Sequence, residues 1–223
     1  MDWLGIDRIE NRFWSAEGEI PPQVIATDHR LIVGAPDLPM QSIPGKLCPE
    51  ELPRGAEGLC LPGLGQMTSG DRLRLLGFQT LNPHWDGLAL VVQPARTLWV
   101  TLSAGEAIHL QASATGQLAS ALGCVGAVPE GFDEAMSRAE RLPFQLAEAE
   151  TPGQQLAALL GAEMAAAKRL WLGQQAVLIG RGPLANAYLA ALRGLYVPVT
   201  ETSEAALVRE GFRALAKAFL TAE

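Results

Sequence analysis

Three short apolar runs joined by very short links constrain this chain more than any other feature. Leu88 to Val92 is apolar throughout, Thr97 to Leu102 alternates around Leu98, Val100 and Leu102, and Ala107 to Ala112 alternates through Ile108 and Leu110. The links are Gln93-Pro94-Ala95-Arg96 and Ser103-Ala104-Gly105-Glu106. Links that short leave no room for a crossover helix, so the runs predict an antiparallel meander whose first strand is buried on both faces. After the meander the pattern turns helical. Thr115 to Leu122, Pro129 to Leu142 and Gln154 to Leu172 read as helices, and Ala176-Val177-Leu178-Ile179 as a strand. Leu184 to Arg193 is a helix, Tyr196-Val197-Pro198-Val199 a short strand, and Glu204 to Phe219 a closing helix.

The chain before the meander is different. Pro21-Pro22, Pro36, Pro39, Pro44, Pro49 and Pro53 interrupt it so often that no long helix fits before residue 60. Its apolar stretches are short, such as Val24-Ile25-Ala26 and Leu31-Ile32-Val33. Met67 to Phe78 then predicts a helix, capped by Thr68 or Ser69, with Asp71 in the first turn where the helix dipole favours an acid. The expected organisation is a reduced N-terminal lobe over 1–86 and a complete lobe over 87–223.

Composition narrows the function classes. Of the 223 residues 48% are hydrophobic and 18% charged, which predicts a globular chain rather than a disordered one. A net charge of −7 supplies no basic excess to neutralise nucleic-acid phosphates, yet an acidic chain can still hold a nucleotide with local N–H groups and one cation. Cys48, Cys60 and Cys124 show no paired spacing, so neither a disulfide framework nor a zinc site is expected. Met1-Asp2-Trp3-Leu4-Gly5 lacks the pattern of a signal peptide, and no run of about 18 apolar residues predicts a membrane span. The expectation is a cytoplasmic protein, with a homodimer left open.

Three antiparallel strands followed by helix–strand–helix–strand–helix is the order of a ribonuclease-H-like lobe, and two such lobes make the actin-like kinases. Specific motifs agree. Leu59-Cys60-Leu61-Pro62-Gly63-Leu64, then Gly70-Asp71 and Leu75-Leu76-Gly77, resembles the "IPGL … RGEE … LIG" segment of the 2-dehydro-3-deoxygalactonokinase family. The strand pair around Trp99 resembles that family's "PGTHCKW" hairpin, and Thr115-Gly116 its "TGE" helix start. Leu160-Gly161-Ala162-Glu163 resembles its "GAE" helix, and Leu178-Ile179-Gly180 through Leu184 to Tyr188 its last strand–turn–helix. The order is kept over roughly residues 24 to 223. The resemblance implies an α/β fold of actin-like, ribonuclease-H-like kinase lobes with mixed sheets and flanking helices. It also implies ATP- and Mg²⁺-dependent phosphorylation of a small sugar acid, 2-dehydro-3-deoxy-D-galactonate, in galactonate breakdown.

Phosphoryl transfer is mostly positioning and electrostatics, so a kinase needs N–H groups, hydroxyls and cations at the phosphates. Here the chain departs from the family. The family's first phosphate loop is a DWGSTNLR-like turn after an apolar strand. Matched at Asp2-Trp3, that loop lacks its small hydroxyl residues, and no strand precedes it. Aligned on Trp99, the second loop has Pro94, Ala95, Arg96 and Leu98 where Gly, Thr, His and Lys belong. Pro94 removes a donor, Ala95 a hydroxyl and Leu98 a cation, while Arg96 restores positive charge from another strand face. "RGEE" reads Ser69-Gly70-Asp71-Arg72, and "TGE" reads Thr115-Gly116-Gln117.

The resemblance marks Asp71 as catalytic base or Mg²⁺ ligand; the alternative is a first-turn acid serving the helix dipole. Asp2 and Asp7 are either remnants of the first phosphate loop or ordinary terminal carboxylates. Gly180, Gly182, Arg96 and Glu163 are the ATP-site candidates, although a glycine turn also suits any strand–helix junction. Thr115 and Gly116 are candidates for a substrate carboxylate at a helix N-terminus, or simply an N-cap. His29, His84 and His109 have no metal or triad spacing, and Trp85, Trp99 and Trp171 read as core or interface residues. Two functions follow. One is an ATP-dependent sugar-acid kinase, shortened or read from a late start codon. The other is a catalytically impaired relative that binds a sugar acid or a partner enzyme in a regulatory or scaffolding role.

Overall fold

A computed structural model describes residues 2–22 and 27–220. The run Val24-Ile25-Ala26 lies outside them. In chain order come β1 (Leu4–Asp7), β2 (Arg12–Trp14), β3 (Glu19–Ile20), β4 (Arg30–Val33), β5 (Gly45–Lys46), β6 (Leu59–Cys60) and α1 (Ser69–Leu81). The meander follows as β7 (Gly87–Val92), β8 (Thr97–Ser103) and β9 (Glu106–Ser113). Then come α2 (Thr115–Ala121), α3 (Phe132–Ser137), α4 (Leu142–Glu148), α5 (Pro152–Ala166) and α6 (Lys168–Trp171). The chain ends with β10 (Ala176–Ile179), α7 (Pro183–Gly194), β11 (Val199–Glu201) and α8 (Glu204–Phe219). It forms two compact units: one holds residues up to Asp86, Leu102–Leu110 and from Thr202 on, the other Gly87–Thr101 and Gln111–Glu201.

The first unit carries a sheet in the order β3-β2-β1-β4-β6, in which β1 pairs antiparallel with β2 and parallel with β4. The expectation that no strand leads into the first turn is therefore wrong. Leu4-Gly5-Ile6 is that strand, and the acid at its end is Asp7 rather than Asp2. Alpha-helical packing in this unit rests on close approach. A methyl group at Gly77 of α1 would overlap the Leu207 carbonyl oxygen of α8, and one at Gly211 of α8 would overlap that of Leu73. The amphipathic face of α8 buries Leu207, Val208, Phe212 and Leu215. The tip of the β8–β9 hairpin belongs to this unit as well, and Gly45 and Lys46 of β5 pair antiparallel there with Ala107 and Glu106.

In the second unit the strand order is β11-β10-β7-β8-β9, with β10 parallel to both β7 and β11. Every residue of β7 is buried, as its unbroken apolar run requires. Leu88, Leu90 and Trp99 of the sheet pack with Leu156, Leu160 and Met164 of α5 and with Tyr188 and Leu192 of α7. Two predicted helices divide. The one expected over Pro129 to Leu142 begins at Phe132 and breaks at Arg138, whose φ of −128° and ψ of 45° are not helical. A 3-10 turn over Ala139–Arg141 leads into α4, where Pro143 occupies the first turn and needs no N–H partner. The helix expected to run to Leu172 stops at Ala166 and resumes as α6. The last strand starts at Val199, because Tyr196 sits at φ 59° and Pro198 supplies no N–H for a ladder.

Candidate functional site

Five of the candidate residues in the second unit gather around the β7–β8 turn and the start of α2. Gln93 donates its N–H to the Arg96 carbonyl at 2.9 Å, and the Arg96 Nε donates to Gln93 Oε1 at 3.2 Å. The turn aims acceptors at α2. Ala95 O takes the Gln117 N–H at 3.1 Å, and a methyl group at Gly116 would stand 2.5 Å from the Pro94 carbonyl oxygen. The Thr115 N–H goes to Ser113 Oγ at 3.1 Å. The helix start expected to receive a carboxylate thus has the Thr115 and Gln117 donors spent on its own chain. On the other side, a methyl group at Gly180 would stand 2.6 Å from the Val92 carbonyl oxygen, and φ there is 155°. Gly182 adopts φ 90° as the residue before α7, a backbone state that suits glycine.

Glu163 ties this region together. Its carboxylate accepts from Trp99 Nε1 at 2.5 Å, Ser113 Oγ at 2.6 Å and Tyr188 OH at 2.6 Å. Ser113 Oγ is in turn 3.1 Å from Thr115 Oγ1. One carboxylate therefore joins β8, β9, α5 and α7 through neutral donors, and the α2 start through Ser113. Burial, followed by the Glu163 carboxylate, pushes the Tyr188 phenol well above its ordinary value, so it remains a donor. Sequence spacing marked Glu163 as a polar residue among apolar ones but did not reveal Ser113 or Tyr188, which lie 50 and 25 residues away.

In the first unit Asp71 belongs to a capping box. Thr68 Oγ1 accepts the Asp71 N–H at 3.1 Å, and Asp71 Oδ2 accepts from the Thr68 N–H at 2.9 Å and its hydroxyl at 2.7 Å. Asp7 is a buried acid at the end of β1, only 1% exposed. Its Oδ1 accepts the N–H groups of Ile9 at 3.0 Å and Glu10 at 3.1 Å, and its Oδ2 is buried without a hydrogen-bond partner. Burial raises its carboxyl above the usual range, against the lowering effects of the Glu10 N–H and the Arg74 charge. The Arg8 N–H goes to Val33 O at 2.9 Å, so all three N–H groups after the strand are used internally. The Glu10 carboxylate pairs with Arg74, which also holds Glu204 at 2.8 Å. The signal for Asp7 was present: an acid ending Leu4-Gly5-Ile6 and leading into a polar turn.

Among solved structures, a Sinorhizobium meliloti protein provisionally named a 2-dehydro-3-deoxygalactonokinase is 18% identical over 99% of this chain and 99% of its own, with a TM-score of 0.72. The two chains thus share one fold, mixed sheets with flanking helices. Component A of the (R)-2-hydroxyglutaryl-CoA dehydratase of Acidaminococcus fermentans is 12% identical over 66% of this chain and 67% of its own, with a TM-score of 0.36. Residues 133–215 match the sequence model of the 2-keto-3-deoxy-galactonokinase family, so the chain resembles that family there. The motifs at Leu160–Glu163 and Leu178–Tyr188 fall inside that stretch. No curated protein matches the chain. Among the described residues, no helix is long and apolar enough to cross a membrane.

Proposed function

We propose that this chain is a cytoplasmic member of the sugar-acid kinase fold that binds a ketodeoxy sugar acid of the 2-dehydro-3-deoxygalactonate type but does not transfer phosphate. Its role is regulation or scaffolding in galactonate breakdown. The observation that carries the reading is the self-satisfied first turn, beside a second turn that proline leaves one donor short. Arg8, Ile9 and Glu10 spend their N–H groups on Val33 O and Asp7 Oδ1. Pro94 has no N–H, and the Ala95 carbonyl faces α2.

ATP and Mg²⁺ are implied by the fold family, and the residues present do not fit them. Mg²⁺ in such sites is held largely through nucleotide phosphates with one or two carboxylates, so the fit depends on phosphate donors. At the first turn those donors are consumed, and a carboxylate, Glu10, stands on the nearby cation Arg74. An added phosphate would meet like charge there. Among the described residues no three His, Cys, Asp or Glu side chains converge as metal ligands.

The competing reading, an active ATP-dependent kinase for the same sugar acid, is favoured by the family match over residues 133–215 and by Asp7 at the end of β1. A coupled ATP assay with 2-dehydro-3-deoxygalactonate and Mg²⁺, run beside thermal shifts, separates the two. The expected result is stabilisation by the sugar acid alone, none by Mg-ATP, and no turnover. Product formation by the folded protein overturns the proposal in favour of the kinase.

A further inference from the structure

The sheet edges differ in how well they are protected. In the sheet that starts at β3, the edge strand β3 has two residues, its Glu19 pairs with Arg12, and the other edge, β6, also has two residues. In the other sheet, β11 has three residues, and its Glu201 pairs with Arg193. Short edges, and edges that carry charge, resist pairing with another chain. The remaining edge is different. Strand β5 covers only the start of β9: Gly45 and Lys46 oppose Ala107 and Glu106, and the Leu47 N–H goes to Gly105 O at 3.0 Å. In antiparallel pairing, alternate residues turn their N–H and C=O groups to the same side. The β5 bonds therefore put the main-chain groups of Ala107, His109, Gln111 and Ser113 on the side away from β8. Among the described residues no strand pairs with β9 on that side beyond Ala107. His109, Gln111 and Ser113 thus present a ladder of donors and acceptors with no strand beside it.

Composition shows what fits this ladder. No Asp, Glu, Lys or Arg occurs from Ala107 to Pro129, although the whole chain carries a net charge of −7. Two such copies repel one another, and their approach is least opposed along an uncharged stretch. Apolar side chains are uncovered there as well: Ile108 of β9, Leu118 and Leu122 on α2, and Val128 are exposed. The edge also complements itself. With two copies antiparallel about Gln111, Gln111 faces its own equivalent, His109 faces Ser113, and Leu110 faces Ala112, each in both directions. That register uses every ladder position and keeps the second strand clear of β5, whose pairing ends at Ala107. Leu110, half-buried, and Ala112, exposed, lie on one face of β9, so the pairing joins apolar side chains across the edge. A pairing over residues 109–113 is about 17 Å long. That is the scale of a small interface, so the dimer forms with concentration rather than being obligate.

We propose that β9 pairs with β9 of a second copy of this chain, antiparallel and centred on Gln111, so that two sheets join across a symmetry axis. The test is sedimentation velocity of the full chain from micromolar to submillimolar concentration, repeated on variants. Gln111→Pro removes the central outward N–H, a change that an edge strand tolerates. Ala112→Lys puts a charge into the pairing. Phe144→Lys changes an exposed apolar side chain of α4 as a control. The expected result is a monomer–dimer equilibrium, weakened about tenfold or more by Gln111→Pro and by Ala112→Lys. Phe144→Lys should leave it unchanged, with the same circular dichroism in all the proteins. Copper–phenanthroline oxidation should link Gln111→Cys into a covalent dimer, since facing residues of a hydrogen-bonded pair stand about 5.5 Å apart, within disulfide reach. Phe144→Cys and the parent chain, whose Cys60 and Cys124 are buried, should not link. A monomer at every concentration, a dimer unmoved by both edge variants, or one linked only through Phe144→Cys overturns the proposal. A chain that stays monomeric yet binds a peptide of residues 107–114, and loses that binding in Gln111→Pro, overturns it in favour of an extended peptide as the occupant.

Discussion

The two units bury their polar groups in different company. In the second, one carboxylate, Glu163, is surrounded by neutral donors from Trp99, Ser113 and Tyr188, with no cation in the group. In the first, several charged groups are buried and turned inward: Arg74 between Glu10 and Glu204, Arg72 on loop carbonyls, Asp7 on its own turn. The match to the family covers residues 133–215, most of which lie in the second unit. A scaffold held by neutral hydrogen bonds and apolar packing survives changes at its rim. At the turn after β1, Glu10 and Arg74 pair with each other and Asp7 holds the turn's own N–H groups, which leaves none of the three to present to phosphate.

If the first unit depends on close backbone approach, filling that space should have the largest effect. Gly77→Val would drive a side chain into the Leu207 carbonyl. It is expected to cost about 3 kcal/mol, by the overpacking mechanism. Urea unfolding measures the loss, and hydrogen exchange locates it. Loss of protection in α1 and α8 ahead of β7 and β10 supports treating the units separately, and uniform loss contradicts it.

The second unit should break at Glu163. Glu163→Leu leaves the Trp99, Ser113 and Tyr188 donors without their acceptor, at an expected cost of about 2–3 kcal/mol. Glu163→Gln keeps an acceptor and should recover part of it. The pH dependence has a defined sign. The folded Tyr188 value is raised, so its contribution is complete below the ordinary tyrosine value of about 10 and is lost as pH rises through the folded one. In a Tyr196→Phe background only one of the chain's two tyrosines remains. Its spectrophotometric titration should move down in Glu163→Gln, and an unmoved curve would remove Glu163 as a cause.

These contrasts track what was legible in the sequence. Helices α7 and α8 declare themselves by period, and the meander by its apolar runs and short links, although β7 is buried throughout and Ile108 of β9 is exposed rather than buried. Strands of two to four residues such as β3, β5 and β6 carry no period, and their pairing depends on loops rich in proline. The break at Arg138 is a backbone event that apolar spacing does not encode. Asp71 was legible as a first-turn acid because its partner Thr68 is three residues away. Arg72 was legible only as a departure from a motif, since its acceptors lie 10 to 31 residues distant.

A smaller effect separates capping from chemistry at Asp71. Thr68→Ala removes one half of the capping box and should cost about 1 kcal/mol of stability. If Asp71 acts only through the cap, Asp71→Ala should cost about the same, and the double variant little more, because the two belong to one unit. Binding of 2-dehydro-3-deoxygalactonate should be equal in the two single variants. A selective loss in Asp71→Ala would instead give its carboxylate contact with the ligand.

The smallest expected effect, at Asp7, tests whether the first unit still carries an acid held for a lost purpose. Its carboxyl is raised from 3.8 by burial, so the folded state binds its proton more tightly than the unfolded chain does. The sign is opposite to that of an ion-paired acid: the contribution is whole below pH 3.8 and is lost as pH rises through the raised folded value. Asp7→Asn keeps a carbonyl oxygen for the Ile9 and Glu10 N–H groups and has no proton to lose, so its stability should not carry this slope. Urea midpoints for both proteins at about pH 4 and about pH 7 make the comparison, with the wild type losing ground to Asp7→Asn toward neutrality. The buried, unpartnered Oδ2 is then a cost the fold bears at neutral pH, as an acid kept from a phosphate site would be. Parallel midpoints would mean that Asp7 is a turn residue and nothing more, and the self-satisfied first turn would need no history of phosphate binding to explain it.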